Sequence, residues 1–299
     1  MNIGARDLFL ISPELALVAL AVIVIAIDLA VRRKGVVIAV AVVGLLAPAF
    51  AGLSVWNEIR TTGVDTAFNG ALVVDEFALY FKFITLVVLA LLIPSSFDYV
   101  SRFRPFQAEF FGLLLLSSAG LMLLPAAGDL ITVYISLELA SLPVIALAAY
   151  NKAHFESTEA GLKYLVLSAV SSAVLLYGFA FLYGATGTLR LVSSDPAAPA
   201  IGHMLINGDP SVAFGGLSVM LGVVLVVAGF GFKLSMVPFQ MWTPDVYEGA
   251  PTPVAAYLAV ASKAAAFAIV LRVFYVGLDP AAADWSLMFA VLAAITMTV

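Results

Sequence analysis

Nine long apolar runs divide this sequence, at about 13–31, 36–56, 77–97, 107–125, 129–150, 161–184, 212–237, 252–276 and 284–299. A helix needs roughly 20 mostly apolar residues to cross the hydrocarbon of a bilayer, so nearly every run can be a span. The runs are apolar all round and show no period-two alternation, which predicts an all-α bundle of about nine transmembrane helices rather than a barrel. Composition closes the alternative. Apolar residues make up 63% of the chain and charged residues only 11%, against about 25% charged in a soluble domain. A water-soluble globule cannot hide that much apolar surface, and a disordered chain would not carry it.

Charge and residue usage exclude further classes. A net charge of −5 with only 14 Lys and Arg offers no basic face for nucleic acid. The chain has no cysteine, so disulfides, thiolate metal sites and cysteine-ligated iron–sulfur clusters are excluded. His154 and His203, both in polar connecting stretches, do not make a haem or zinc site. No cofactor is expected within the chain.

Orientation is read from the loop cations. Arg32, Arg33, Lys34, Arg102, Arg104 and Lys152 fall on one side of the bundle, and Arg6, Arg60, Arg190 and Arg272 on the other. The cluster at 32–34 predicts a cytoplasmic first loop and an outside N-terminus. The acidic loop at 57–76 fits the outer face. The first run is not a signal peptide, because its cations follow it and no small-residue cleavage site does. The last run is short and has no closing polar flank, so the expectation is a fragment of a longer chain.

Ionisable groups at membrane depth cost about 2.5–3.5 kcal/mol each on insertion scales and tend to mark ion or proton paths. Glu138 lies in the middle of the fifth run, Lys163 opens the sixth, Lys233 lies late in the seventh, and Lys263 is central in the eighth. Lys82, about one turn into the third run, is expected to snorkel its amine to the interface. Lys163 is near enough to an end to do the same or to join the others. Glu138, Lys233 and Lys263 are too deep to escape. They form either static ion pairs that pin helices or a titrating path. Lysine favours the path, since burial and a nearby carboxylate move its pKa in opposite directions, whereas arginine stays charged.

Prolines are expected to interrupt two of these helices. Pro143 removes the backbone bond to the carbonyl of Leu139, beside the acid. Pro238 lies five residues after Lys233 and opens PFQMWTPDVYEGAPTP, where Pro244, Pro251, Pro253 and Gly249 follow. Interrupted spans are the usual sign of a transport site, because non-helical backbone at that depth must face protein or a wet cavity. Gly222, Gly229 and Gly231 upstream allow either close helix contact or added flexibility.

Four segments together carry a resemblance: PELALVALAVIVIAIDL at 13–29, YISLELASLPVIAL at 134–147, GLKYLVLSAVSSAVLLYG at 161–178 and FKLSMVPFQMWTPDVYEGAPTPV at 232–254. They resemble the subunit N family of bacterial NADH–quinone oxidoreductase, respiratory complex I, within the antiporter-like proton-channel subunits. The resemblance covers essentially the whole chain, and WTPDVYEGAPTPV is its most specific part. It implies an N-terminal three-helix segment (1–106), an antiporter-like five-helix repeat (107–276) with a discontinuous seventh helix, and the start of a second, inverted repeat (277–299). It also implies proton-translocating roles for Glu138, Lys233, Lys263 and Lys163, with Glu138 facing Lys233 directly. Gln240 stands where many relatives place a histidine, so a titrating imidazole is missing at that position.

The resemblance further implies sister membrane subunits as partners, with NADH, flavin and iron–sulfur clusters held by other subunits and quinone as substrate of the complex. The expected location is the bacterial inner membrane. Two other functions use the same residues. One is a cation/proton antiporter subunit of the Mrp type, working without NADH. The other is a structural scaffold whose buried ions only fix helix registry.

Overall fold

The computed structural model describes residues 4–30, 34–101, 107–193, 199–207 and 215–299. Arg32, Arg33, Arg102, Arg104 and the side chain of Lys34, on which the expected orientation rests, lie outside the described residues. Among those described, nine helical segments are long and apolar enough to cross a membrane, and they coincide with the nine runs. The chain is a multi-pass membrane protein.

A short helix α1 (Ala5–Leu10) precedes the first span, α2 (Ser12–Ala30), and the second span is α3 (Lys34–Gly44) continued by α4 (Leu46–Thr62). The 57–76 loop is not simply irregular. It folds into a hairpin of β1 (Asp65–Ala67) and β2 (Leu72–Val74), turned by Phe68, Asn69 and Gly70 in left-handed conformations. Its apolar side chains Ala67, Leu72 and Val74 pack with Leu10, Val55, Ile59 and Leu79, forming a plug over one end of the bundle. Asp7 holds α1 to this plug, accepting the backbone N–H of Phe68 at 2.9 Å and that of Gly4 at 2.8 Å.

The third span is α5 (Glu76–Ser95), followed by the single turn α6 (Phe97–Val100) and the fourth span α7 (Gln107–Leu123). α7 is the most enclosed span, with α2, α5 and α8 (Leu130–Ala148) packed around it. Small residues permit that closeness: a Cβ on Gly120 would lie 2.4 Å from the Ala140 backbone nitrogen, and Ser117 donates to the Ala140 carbonyl at 2.6 Å. Interfaces between helices in lipid depend on such close approach, because the solvent itself is apolar. The sixth span, α9 (Phe155–Thr186), ends at Gly187 with φ 70°. After α10 (Ile201–Asn207), the seventh span begins with α11 (Gly215–Leu234) and resumes as α12 (Trp242–Gly249).

The glycines of α11 serve close contact. Added Cβ atoms on Gly222 and Gly229 would strike Leu182 and Leu175 of α9 at 3.0 and 2.6 Å. The eighth span runs through α13 (Thr252–Tyr257), a π turn at Leu258–Ser262, α14 (Lys263–Arg272) and a second π turn at Val273–Gly277. The last helix is α15 (Ala282–Thr298).

Three expectations fail here, each for a physical reason. Pro143 does not interrupt the fifth span: α8 is helical from Leu130 to Ala148. Serine hydroxyls and neighbouring helices can re-satisfy backbone freed by a membrane proline, and Ser141 bonds the Leu137 carbonyl in the adjoining turn. Lys82 does not snorkel. Its side chain is 3% exposed and pairs with the equally buried Glu14 of α2 at 2.6 Å, because its outward route is covered by the hairpin end of the bundle. Arg272, counted among loop cations, is buried in α14 and pairs with Asp75 at 2.7 Å.

Candidate functional site

The seventh span is interrupted where the prolines pointed. α11 closes in a Schellman arrangement: Met236 N–H reaches the Gly231 carbonyl at 2.8 Å and Ser235 N–H the Phe232 carbonyl at 3.1 Å. The left-handed position of that motif usually holds glycine, but here it holds Ser235 with φ 57°. A side chain there costs about 1–2 kcal/mol. The hydroxyl is what the position gains: Ser235 Oγ receives Lys263 Nζ at 2.6 Å and the Thr243 hydroxyl at 2.8 Å. Pro238, in a cis peptide with Val237, and a single 3₁₀ turn at Phe239–Met241 then carry the chain to α12.

The break leaves carbonyls at the C-terminal end of a half-helix, where the backbone dipole favours cations. Lys263 Nζ lies 3.3 Å from the Leu234 carbonyl, and the Trp242 indole N–H donates to Phe232 at 2.9 Å. The π turn ending at Ser262 sets Lys263 at the first residue of α14, and π turns recur at functional positions. Lys233, in the last turn of α11, reaches across to the hydroxyl of Ser141 on α8. A cavity about the size of one water lies beside it, lined by Ser117, Ser141, Tyr164, Tyr257 and Ser262 among others.

Glu138 does not meet Lys233 in an ion pair among the described residues. Its carboxylate instead accepts the hydroxyl of Ser172 on α9. Glu138 lies three residues before Ser141 on one helix, so the acid and the amine are held by serines from neighbouring helices, not by each other. Lys163 is set apart as well. Its half-exposed amine bridges Asp245 of α12 at 2.6 Å and Glu159 at 2.7 Å. The bridge ties α9 to the second half of the broken span, and Gly249 presses against the Glu156 carbonyl of the same helix. Gln240 lies in the 3₁₀ turn with a buried, unbonded Oε1.

The structure thus brings Lys233, Lys263 and Pro238 to one break, places Glu138 a turn away on α8, and leaves Lys163 at the edge. Sequence reasoning missed Ser141, Ser172, Ser235 and Thr243, because hydroxyls in apolar helices carry no charge signal. It also missed Glu14, whose position just inside the first run was a usable signal. Among the described residues, no group of three His, Asp or Glu is placed to hold a metal ion.

Comparison with known proteins identifies the family. The family described as NADH:quinone oxidoreductase/Mrp antiporter, TM, matches residues 127–299. The NADH-quinone oxidoreductase subunit N of Trichlorobacter lovleyi is 36% identical over 307 residues, covering all of this chain and 60% of the relative. The F(420)H(2) dehydrogenase subunit N of Methanosarcina mazei is 35% identical over 300 residues, covering 98% of this chain and 58% of its own. Among solved structures, respiratory complex I from Thermus thermophilus with bound aureothin contains a chain 31% identical, with TM-score 0.68, over 87% of this chain and 52% of that one. The chain spans about 60% of the length of the curated relatives it matches. The family match over more than half the chain, with subunit N relatives along its whole length, means that this chain belongs to the NADH:quinone oxidoreductase/Mrp antiporter transmembrane family.

Proposed function

We propose that the protein is a proton-translocating membrane subunit of a redox-driven NADH–quinone oxidoreductase. Protons pass along Glu138, Lys233 and Lys263 without a redox centre in this chain. The observation that carries the reading is the convergence of Lys233 and Lys263 on hydroxyls at the interrupted seventh span, with Glu138 one turn from the serine that holds Lys233. Amines that can lose a proton, set at carbonyls and hydroxyls in an interrupted helix, suit stepwise transfer. Pro238 and Gln240, with its buried Oε1, shape the break. Gln240 can orient a water but cannot titrate. Lys163, with Asp245, holds the second half of the span against α9 and adds a titratable group at the edge.

On this reading residues 107–276 form one proton half-channel, 1–106 brace it, and 277–299 begin a second repeat. Sister antiporter-like subunits flank it in the membrane, and NADH, flavin and iron–sulfur clusters reside in other subunits, with quinone as substrate. The bacterial inner membrane is the location, with the N-terminus outside. Supporting this assignment over an Mrp-type antiporter, two curated relatives that match along nearly the whole chain are named as subunit N of an NADH-quinone oxidoreductase and of an F(420)H(2) dehydrogenase. The test is Glu138→Gln in the full-length subunit within the assembled complex. Proton pumping per NADH oxidised is expected to fall several-fold in a normally assembled complex. Undiminished pumping at unchanged turnover removes Glu138 from the path, and a defect confined to assembly supports a scaffold instead.

A further inference from the structure

The Lys233 ammonium lies over the ring of Tyr164, 5.6 Å from its centroid. Tyr164 is also stacked on Trp242, at 4.8 Å with 20° between planes. The Lys263 ammonium in turn lies 5.9 Å from the centroid of the Trp242 ring. Both rings are almost wholly buried, at 1% and 2% exposure. Phe232 closes the side of the stack, 5.1 Å from Trp242. The contacts therefore run from amine to ring, ring to ring, and ring to amine.

Aromatic faces attract cations but offer no lone pair or N–H to continue a chain of hydrogen bonds. A stack at this separation also leaves no room for water between its planes. The cavity beside Lys233 is lined by Tyr164 and, on the eighth span, by Ser262 and Ala266, while the side chains of Lys263 and Trp242 are not among its lining. One ring belongs to the continuous helix α9, whereas the other opens α12, the second half of the broken span. Its indole N–H is hydrogen-bonded to Phe232, at the end of the first half. A small shift of α12 against α11 would slide Trp242 off Tyr164 and break that bond together.

We propose that the Tyr164–Trp242 stack is an aromatic gate that insulates Lys233 from Lys263, and that displacement of α12 opens it. The proposal rests on the proton reading above and assigns its control point. In the closed arrangement each amine is held by its own hydroxyl, Ser141 or Ser235, and by its own ring. A proton passes between them only while the rings are apart, so transfer is tied to helix movement rather than to a standing water wire.

The test uses the full-length subunit in the assembled complex, reconstituted into proteoliposomes. Passive proton leak is measured under an imposed potential without NADH. Trp242→Ala and Tyr164→Ala are each expected to raise the leak about tenfold, the change that accompanies a barrier lowered by ~1.4 kcal/mol. Trp242→Phe, which retains a ring, leaks less than Trp242→Ala. Tyr177→Ala, removing an exposed ring on the same helix, leaves the leak at its original level. Adding Lys233→Met to Trp242→Ala abolishes the extra leak. If Trp242→Ala fails to assemble, Tyr164→Ala makes the same test from the other face. An unchanged leak in assembled alanine variants, or a leak indifferent to Lys233→Met, overturns the gate. When that result accompanies a pumping defect in Glu138→Gln, the gate fails and the proton axis stands.

Discussion

At the scale of single residues, the site depends on serines as much as on charges. Ser141 supplies the hydroxyl that holds Lys233 and also bonds the Leu137 carbonyl of its own helix. A hydrogen bond to a charged group contributes about 1.5–3 kcal/mol. Ser141→Ala is therefore expected to slow coupled proton pumping about tenfold, with Ser141→Thr restoring most of it. The measurement is pumping against NADH oxidation in assembled complexes, and equal rates in wild type and Ser141→Ala would deny the serine any part. Charges in apolar runs were legible in the sequence because their insertion cost is large. The hydroxyls were not, since a serine in a membrane helix can satisfy itself on its own backbone. Glu138 and Lys233 lie on helices five and seven as expected, but each bonds a serine of a neighbouring helix, and no ion pair joins them among the described residues.

At the scale of elements, two contacts outside the broken helix hold the N-terminal segment together. Glu14 and Lys82 join the first and third spans, each only 2–3% exposed. Removing one partner from such a pair strands the other, at a cost of about 3–5 kcal/mol, whereas an apolar pair of similar size is often tolerated. Glu14→Gln is thus expected to lower the thermal stability of the complex more than the double substitution Glu14→Leu with Lys82→Leu. Stability that falls further in the double variant contradicts this view of the pair.

The second contact is Asp7 on the hairpin, outside the membrane. The backbone N–H groups of Phe68 and Gly4 hold its carboxyl below the ordinary value of 3.8. A depressed carboxyl stabilises the docking of α1 above that ordinary value, and the contribution is lost as pH falls through the lower, folded value. Protection of the Phe68 amide from hydrogen exchange, relative to its intrinsic rate, is expected to drop in that acid range. Asp7→Asn removes this pH dependence. The hairpin itself was not legible: three-residue strands leave no periodic pattern. The broken seventh helix was, because four prolines and a glycine in sixteen residues cannot form one unbroken helix.

At the scale of the whole molecule, the apolar run lengths determined the bundle, and the nine long helices among the described residues follow them closely. What they could not convey is which polar atoms face inward, because helices apolar on every side have no marked face. Lys82 and Arg272 show the consequence. Both lie near span ends, where sequence alone favours the interface, yet both are buried by neighbouring elements distant in sequence. Ser235 shows the converse, a local conformation explained only by an amine 28 residues away. The account stands on Lys233 acting through loss and gain of a proton, not as a fixed charge. Lys233→Arg in the assembled complex separates the two, since arginine keeps the charge and cannot release the proton. The account predicts normal assembly with proton pumping per NADH reduced as severely as in Lys233→Met, whereas pumping restored by arginine would contradict it.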